Sequence, residues 1–417
     1  MVVAGTVGTL FRLPNDARNL LWAEDGKTFL ADAFTHGLLT NLFTPYAGYM
    51  HLVPRTAAEL TSLFVPVDYL GLGMNIFGAA TWSLVALAAF VFTRERLQLP
   101  MRWLLWVLVL VLPIGSQEVA TNTANSHWFL MFGLFVALIS RSGSWSRAVF
   151  ASVLVSASVL SDPLSLMFFP LVLVRAFSLR GLREQVPGIA FVGSAVVQLI
   201  VVLNTTREAA VPGYDPDLLS QFYLVRVVWG DLLGPTTGGA SLYQSLGVVA
   251  VLFITGAFMA CLTAAIAIRW RKTALAAASL IFSVGSFGVI SALTWSKVGV
   301  LVPGYEVSLG GRYLVVPSLL LALSLVSIMS AWVPTREEAS ARWMRPVIFA
   351  VSSALLLTPG LVEYQDPSYK AGYSSAVVSI ENASETCELD PKGFAVVPIA
   401  PAKWTMSIPC ADILEAR

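Results

Sequence analysis

The stretch GMNIFGAATWSLVALAAFVFTRER, residues 73–96, places a long apolar run directly before Arg94 and Arg96. A helix needs about 20 apolar residues to cross the hydrocarbon core of a bilayer. The run has that length, and arginines are enriched at the cytoplasmic ends of such helices. The stretch therefore predicts a membrane-spanning helix whose C-terminal end faces the cytoplasm.

The composition of the whole chain indicates that this helix is one of many. Of 417 residues, 56% are hydrophobic and 12% are charged, and the mean hydropathy is +0.74. Soluble domains carry about 25% charged residues, so the chain is predicted to be a polytopic membrane protein. The net charge of +1 and the lack of a basic tract argue against nucleic-acid binding. The sequence also lacks a P-loop, a GxGxxG, an HExxH, a CxxC pair and a GxSxG elbow.

The apolar runs predict an all-α membrane protein with ten or eleven transmembrane helices. Residues 1–11 are too short to cross alone at about 1.5 Å per residue. They form either a stub or, as we expect, the end of a helix that begins upstream of this sequence. The ten full spans are predicted near 73–93, 103–116, 127–140, 147–160, 163–177, 186–203, 246–268, 273–295, 313–332 and 345–358.

Arginine-rich clusters occupy every second connection, which predicts the orientation of the spans. We assign these connections to the cytoplasm and the others to the outer face. The clusters are Arg94, Arg96 and Arg102; Arg141 and Arg147; Arg175, Arg180 and Arg183; Arg269, Arg271 and Lys272; Arg336, Arg342 and Arg345. The predicted outer segments are 12–70, 115–127, the turn near 161, 204–245, 296–312 and the tail from 359.

The outer segments divide the chain into a transmembrane domain, 1–358, and a small extracytoplasmic domain, 359–417. The first outer loop, 12–70, is predicted to carry interfacial helices. A further interfacial helix is predicted in the second long loop, at residues 218–233, LLSQFYLVRVVWGDLL. In the tail, SSAVVSI has helical periodicity and GFAVVPI and WTMSIPC read as strands, which predicts an α+β unit. Cys387 and Cys410 lie 23 positions apart and are disulfide candidates, which suits an oxidising outer compartment. The apolar residues expected to lie on the membrane surface in the first loop are Leu21, Phe29, Leu30 and Phe34.

Glu24 and Asp25 are the first candidate functional residues. Trp22 and Phe29 frame the pair, which places it at the level of the lipid headgroups. A carboxylate that is partly desolvated there becomes a better general base. A solvated acidic face is the alternative.

Two further polar blocks lie in the outer loops. In PYAGYMHLVPRTAAEL, residues 45–60, His51 and Arg55 suit a phosphate group, although interfacial anchoring explains them equally well. In GSQEVATNTANSHWFL, residues 115–130, the side chains of Glu118, Asn122 and Asn125 are spaced i, i+4 and i+7, which predicts that they share one helix face. Polar residues at this depth usually face a cavity. The residues of that block are Glu118, Asn122, Asn125 and His127.

Two single residues complete the set. In SDPL, residues 161–164, Asp162 is predicted mainly to cap the next helix and secondarily to face the cavity. In LGGRYLVVP, residues 309–317, Arg312 opens a span on the outer side, against the positive-inside trend. It needs a partner, either a lipid phosphate or Glu306.

Four blocks together resemble the GT-C superfamily of membrane glycosyltransferases, in particular its actinobacterial-type members. They are WAEDGKTFL (22–30), PYAGYMHLVPR (45–55), NTANSHW (122–128) and GGRYLVVP (310–317). The resemblance implies a polyprenyl-phosphate-linked sugar as donor and a first-loop acidic residue as base, here Asp25 or Glu24, with Asp25 favoured. In that family the first helix precedes the acidic loop, whereas here only residues 1–11 do.

The resulting expectation is an inverting glycosyltransferase of the plasma membrane that acts on an envelope glycan or glycolipid at the outer face. His51, Arg55, His127 and Arg312 are then expected to bind the departing phosphate. No cofactor is expected, although a divalent metal stays open. The alternatives are a transporter or flippase of a lipid-linked saccharide, and a metal-dependent lipid phosphotransferase that uses Glu24, Asp25 and His127.

Overall fold

The structure is a computed structural model that describes residues 1–114, 119, 121–206, 211–236, 238–295, 310–332, 344–365 and 376–415. Residues 296–309 of the predicted outer loop 296–312, Arg336 and Arg342 of the last arginine cluster, and Glu118 lie outside the described residues. The α-helices of the bundle are α1 (Val2–Leu10), α5 (Leu70–Phe92), α6 (Leu99–Leu110), α7 (Ser126–Ile139), α8 (Trp145–Val159), α9 (Phe169–Ser178), α10 (Leu182–Asn204), α13 (Gly238–Ile268), α14 (Ala274–Leu293), α15 (Val315–Trp332) and α16 (Met344–Val362).

The remaining elements belong to the predicted outer segments. Helices α2 (Ala31–Thr35), α3 (Leu38–Phe43) and α4 (Leu52–Phe64) lie in the first loop, and α11 (Pro216–Phe222) and α12 (Gly230–Leu233) in the second. The tail contains α17 (Ala376–Leu389), β1 (Phe394–Ile399), β2 (Trp404–Pro409) and α18 (Cys410–Glu415). Two π-helical turns, Asp25–Leu30 and Tyr223–Trp229, interrupt the loops.

Each of the ten predicted spans coincides with a helix, and the described chain has five helices long and apolar enough to cross a membrane. Shorter apolar helices occupy the other five positions. Among the exposed side chains on α10 and α13 are Ile200, Leu203, Val249 and Phe253, and such contiguous apolar surface suits contact with lipid. The fold is therefore that of a helical membrane protein. The five long helices are Val67–Phe92, Leu182–Asn204, Gly238–Ile268, Ala274–Leu293 and Gly311–Trp332.

The arginine-rich turns meet at one end of the bundle, which we call the inner end. The Arg96 guanidinium donates to the Ile139 carbonyl at 3.1 Å, and the Arg269 guanidinium to the Ala331 carbonyl at 2.7 Å. We call the opposite end, which carries residues 12–70, the outer end. There the Leu52 N–H donates to the Leu160 carbonyl at 3.1 Å, so α4 begins beside the turn near Asp162.

The segment 216–233 is not the interfacial helix that its sequence predicts. Phe222, Tyr223, Val227 and Val228 are buried, and they form a cluster with side chains of α13, α14 and α15. The Tyr223 hydroxyl lies 2.9 Å from Ser283 Oγ of α14. Most side chains of this segment are apolar, and they pack into the bundle instead of lying on a surface.

The tail forms the predicted α+β unit. Strands β1 and β2 pair antiparallel, with Phe394 opposite Pro409 and Ile399 opposite Trp404. Cys387 and Cys410 form a disulfide with an S–S distance of 2.09 Å, which joins α17 to the start of α18. Helix α16 ends at Val362, one turn beyond the predicted end of the last span.

This unit shares a hydrophobic core with the first outer loop. Leu21, Phe29 and Leu30 are buried with residues of the strands, including Val397 and Ile408. The expectation that these three side chains lie on the membrane surface is therefore wrong, because the tail covers them. Exposed apolar residues of the first loop lie instead on α3 and at the end of α4: Leu38, Leu39, Phe43, Leu63 and Phe64.

Candidate functional site at the outer end

The acidic pair lies where the first loop meets the C-terminal unit. The Ala23 N–H donates to the Ala400 carbonyl at 2.5 Å, and the Ala400 N–H donates to the Leu21 carbonyl at 3.1 Å. Ala23 has a φ of 47°, a left-handed conformation that non-glycine residues adopt at a cost. The π-helical turn Asp25–Leu30 then begins. Strained residues and π-turns concentrate at functional sites, so this junction is a candidate.

Asp25 is almost fully buried and holds the segment that precedes α7. Its carboxylate accepts hydrogen bonds from the Thr123 N–H at 3.1 Å, the Thr123 hydroxyl at 2.6 Å and the Ala124 N–H at 2.8 Å. A carboxylate offers about four acceptor positions, so at most one stays open for a substrate. The observed role of Asp25 is to join residues 98 positions away to the first loop.

Glu24 differs from its neighbour. Its side chain is partly exposed, and no hydrogen bond or ion pair to it is found within the described part of the chain. Its negative charge lies near the phenol of Tyr46. Burial, and then this charge, raise the pKa of Tyr46 above its ordinary value. Of the two acids, Glu24 is the one whose oxygen atoms are open to a ligand.

His51 sits in an aromatic group beside this pair. Its ring stacks on Tyr49 with centroids 4.2 Å apart and lies 5.4 Å from both Phe29 and Tyr46. His51 Nδ1 lies 3.2 Å from the Tyr49 carbonyl oxygen. Only 4% of its surface is exposed, so the ring is oriented by its surroundings.

Arg55 does not fit the role of phosphate ligand predicted for it. Its guanidinium is 1% exposed and donates to Asp32 Oδ2 at 3.0 Å and to Asn41 Oδ1. Asn41 in turn donates to Glu59 Oε1 at 2.6 Å. Burial lowers the pKa of Arg55, while the Asp32 carboxylate acts in the opposite sense. Arg55 therefore connects α2, α3 and α4, and its charge is balanced within the protein.

The segment around residues 119–125 is a turn, and the predicted helix face of Asn122 and Asn125 does not form. Thr121 has a φ of 62°, and its hydroxyl donates to Asn75 Oδ1 at 2.8 Å. Asn122 Oδ1 accepts the Asn125 N–H at 3.2 Å, and α7 begins at Ser126. A β-branched residue in a left-handed conformation breaks the helical repeat on which the prediction depended. Glu118, the third member of that face, lies outside the described residues.

His127 contacts both the segment that precedes α7 and the turn near residue 161. Its Nδ1 lies 3.0 Å from the Ala124 carbonyl oxygen, and its Nε2 lies 3.2 Å from Asp162 Oδ2. Asp162 Oδ1 accepts the Leu164 N–H at 2.7 Å, as a capping residue should. The predicted capping role of Asp162 is confirmed, and its second oxygen pairs with His127. That it faces a cavity stays a prediction. The sequence feature that points to Asp162 is the polar pair Ser161-Asp162 between two apolar spans.

Arg312 lies in the turn that precedes α15, and this turn contacts the start of α7. It follows Gly310, whose φ is 77°, and opens the short helical turn Gly311–Leu314. The guanidinium lies 5.1 Å from the Tyr313 ring centroid, and the Tyr313 ring lies 5.4 Å from that of Trp128. The Trp128 ring in turn lies 4.7 Å from that of His127, measured between centroids. Glu306, the alternative partner, lies outside the described residues.

Three buried donors beside these residues have no hydrogen-bond partner in the described chain. They are Asn122 Nδ2, Ser126 Oγ and Trp128 Nε1. Buried polar atoms are nearly always paired, so a set of three within seven residues calls for an explanation. Together with Arg312 they make this region rich in donors, and Asp25 is joined to it through Thr123 and Ala124.

Within the described residues, no group of three or more His, Cys, Asp or Glu side chains is arranged to hold a metal ion. His127 and Asp162 form a pair, while Asp25 is held by Thr123 and Ala124. The outer end thus combines a partly exposed carboxylate, Glu24, with buried donors that have no hydrogen-bond partner in the described chain.

Comparisons of the chain with protein-family models, with curated proteins and with solved structures find no match.

Proposed function

We propose that the protein is an inverting membrane glycosyltransferase that moves a sugar from a polyprenyl phosphate to an envelope glycan or glycolipid at the outer face of the plasma membrane. The observation that carries the proposal is the hydrogen bonding of Asp25, the neighbour of Glu24, to the segment that leads into the donor-rich start of α7. Inverting transfer needs both: a base for the acceptor and donors for the departing phosphate.

In this mechanism, Glu24 takes the proton of the acceptor hydroxyl. The hydroxyl oxygen attacks the anomeric carbon from the face opposite the phosphate, so a single displacement inverts that centre. The bond between the anomeric carbon and the phosphate oxygen breaks, and its electron pair leaves on the polyprenyl phosphate. Glu24 returns its proton to water.

The hydrogen bonds favour Glu24 over Asp25 as the base, which reverses the preference from sequence. Asp25 already accepts three donors, and its task in the proposal is to position Thr123 and Ala124. Glu24 keeps its oxygens available and follows directly on the strained Ala23.

The leaving phosphate is bound by Arg312, with Asn122, Ser126 and Trp128 as neutral donors that have no other partner in the described chain. His127, held by Asp162 at 3.2 Å, orders this group of donors. Arg55 takes no part, because Asp32 and Asn41 already accept its hydrogen bonds.

The test uses the full chain in native membranes supplied with labelled polyprenyl-phosphate sugars. Glu24→Gln should lower transfer by about 10²- to 10⁴-fold, the usual contribution of a general base. Asp16→Asn, an exposed acid in the same loop, is the matched control and should transfer like the wild type. Transfer by Glu24→Gln at the wild-type rate would remove Glu24 from the mechanism.

Two further outcomes separate the alternatives. Movement of a lipid-linked saccharide across the bilayer without any transfer would overturn the proposal in favour of a flippase. Activity lost on chelation with EDTA and restored by a divalent cation would favour the phosphotransferase, whereas activity that survives EDTA supports the present proposal.

A further inference from the structure

A groove of about 520 Å³ opens at the inner end of the bundle, opposite the candidate site. We call it the inner groove and define it by Arg96, Gln98, Arg271, Lys272 and Ser330, which line it. It lies between the turn that follows α5, the turn that joins α13 to α14, and the last turn of α15. It plays no part in the proposed transfer.

The inner groove is strongly cationic. Arg96, Arg271 and Lys272 outnumber the single carboxylate, Glu95, among its described lining residues. Arg271 and Lys272 are exposed and make no ion pair within the described part of the chain. Arg96 is anchored by its hydrogen bond to the Ile139 carbonyl. Clustered cations of this kind repel one another and are stabilised by an anion.

The N-terminal ends of two helices add to the positive electrostatic potential of the inner groove. Helix α6 begins next to Gln98, and α14 begins with Ala274 and Leu275, which also line the groove. Neither helix has an acidic residue in its first turn or a side-chain cap. The N-terminus of a helix carries partial positive charge and unused N–H groups, so both ends add to the attraction of an anion.

Exposed tryptophans show at which depth the inner groove lies. Trp270 precedes Arg271 and is 63% exposed, Trp332 ends α15 and is 39% exposed, and Trp103 on the first turn of α6 is 43% exposed. Tryptophan is enriched at the level of the lipid headgroups. A cationic groove with tryptophans at its edge is therefore within reach of a lipid phosphate.

We infer that the inner groove binds the phosphate headgroup of an anionic phospholipid from the cytoplasmic leaflet. The Arg271 and Lys272 side chains contact the phosphate, and Ser330 and the start of α14 supply hydrogen-bond donors. Basic pockets between transmembrane helices on the cytoplasmic side are suited to such headgroups.

The first experiment measures lipid retained by the full chain in nanodiscs that contain phosphatidylglycerol and phosphatidylcholine, by native mass spectrometry. The double variant Arg271→Gln/Lys272→Gln should retain phosphatidylglycerol at least about tenfold more weakly than the wild type, since each cation contributes to the attraction. Arg180→Gln/Arg183→Gln, which removes two exposed cations from another inner turn, should retain it like the wild type. Equal loss in both variants would overturn a specific site.

The second experiment uses the wild type alone and so does not depend on how a variant folds. The rate at which an amine-reactive reagent modifies Lys272 is compared in phosphatidylglycerol nanodiscs and in phosphatidylcholine nanodiscs with and without inorganic phosphate. Protection by phosphatidylglycerol alone supports the lipid. Equal protection by inorganic phosphate would assign the inner groove to a free phosphate, and no protection in any sample would overturn the site.

Discussion

Two of the buried arginines, Arg175 at the inner end and Arg55 at the outer end, differ in how their hydrogen bonds are satisfied. At the inner end, Arg175 donates to the carbonyls of Ala137, Leu138 and Ser140 and to Glu184, through all three of its nitrogen atoms. At the outer end, Arg55 donates from one nitrogen, and its Nε has no partner in the described chain.

The difference extends to the surroundings of the two residues. Arg175 satisfies the carbonyls of Ala137 and Leu138 near the end of α7, which suits a fixed helix connection. Around the outer cluster, Ala23 and Thr121 adopt left-handed conformations, and three donors lack partners in the described residues. The inner connection is organised for stability, whereas the outer end has unsatisfied groups of the kind that a ligand can complete.

The strongest test of this contrast compares the two arginines. Arg175→Met removes the buried cation beside Glu184 and the donor to several carbonyls, so it should destabilise the protein by about 3–5 kcal/mol. Arg55→Met removes fewer hydrogen bonds and should cost about 1–3 kcal/mol. Thermal unfolding in detergent measures both, with the exposed Arg180→Met as control. A larger loss for Arg55→Met would reverse the contrast.

The disulfide tests whether the tail stabilises the outer end. Cys387→Ser/Cys410→Ser removes a link that closes a loop of 23 positions, at a cost of about 3 kcal/mol in the chain-entropy model. Because the strands cover Leu21 and Phe29, hydrogen exchange should rise both in residues 376–415 and in residues 21–30. Cys261→Ser, an exposed free cysteine, is the control. Exchange that rises in the tail alone would mean that the first loop is stable without it.

The acidic pair should separate into a positioning residue and a reactive one. Asp25→Asn leaves N–H donors of Thr123 and Ala124 facing an amide, and should cost about 1–3 kcal/mol of stability. Glu24→Gln should change stability by less than about 0.5 kcal/mol, as is usual for a surface substitution. Unfolding midpoints and hydrogen exchange at 121–125 distinguish the two. Equal destabilisation by both substitutions would contradict the division of roles.

The smallest expected effect is on the titration of Tyr46. Burial and the Glu24 charge raise its pKa, so the phenol keeps its proton to a higher pH than a free tyrosine. Stability linked to Tyr46 is thus present below the unfolded pKa, about 10, and is lost as pH rises through the higher folded value.

Glu24→Gln should lower the pKa of Tyr46 towards, but not to, the ordinary value, because burial remains. Ultraviolet difference titration against Tyr46→Phe in the same background isolates this phenol. Asp16→Asn should leave the titration unchanged. An unchanged pKa in Glu24→Gln would place the Glu24 charge away from the phenol.

Much of the fold follows from local patterns in the chain. All ten predicted spans coincide with helices because the apolar runs and the transmembrane lengths are properties of consecutive residues. The two strands of the tail and the pairing of Cys387 with Cys410 also agree with prediction. Segment 218–233 was misassigned because hydropathy alone does not distinguish a lipid surface from a protein interior.

The sequence by itself determined which residues are polar at the outer end and that Glu24 and Asp25 form a pair there. Only the tertiary structure decided what each of them contacts. Asp25 reaches Thr123 across 98 positions, and Arg55 pairs with Asp32 and donates to Asn41 on separate short helices. Such contacts depend on how helices pack in three dimensions, and the spacing of residues along one helix carries no information about them.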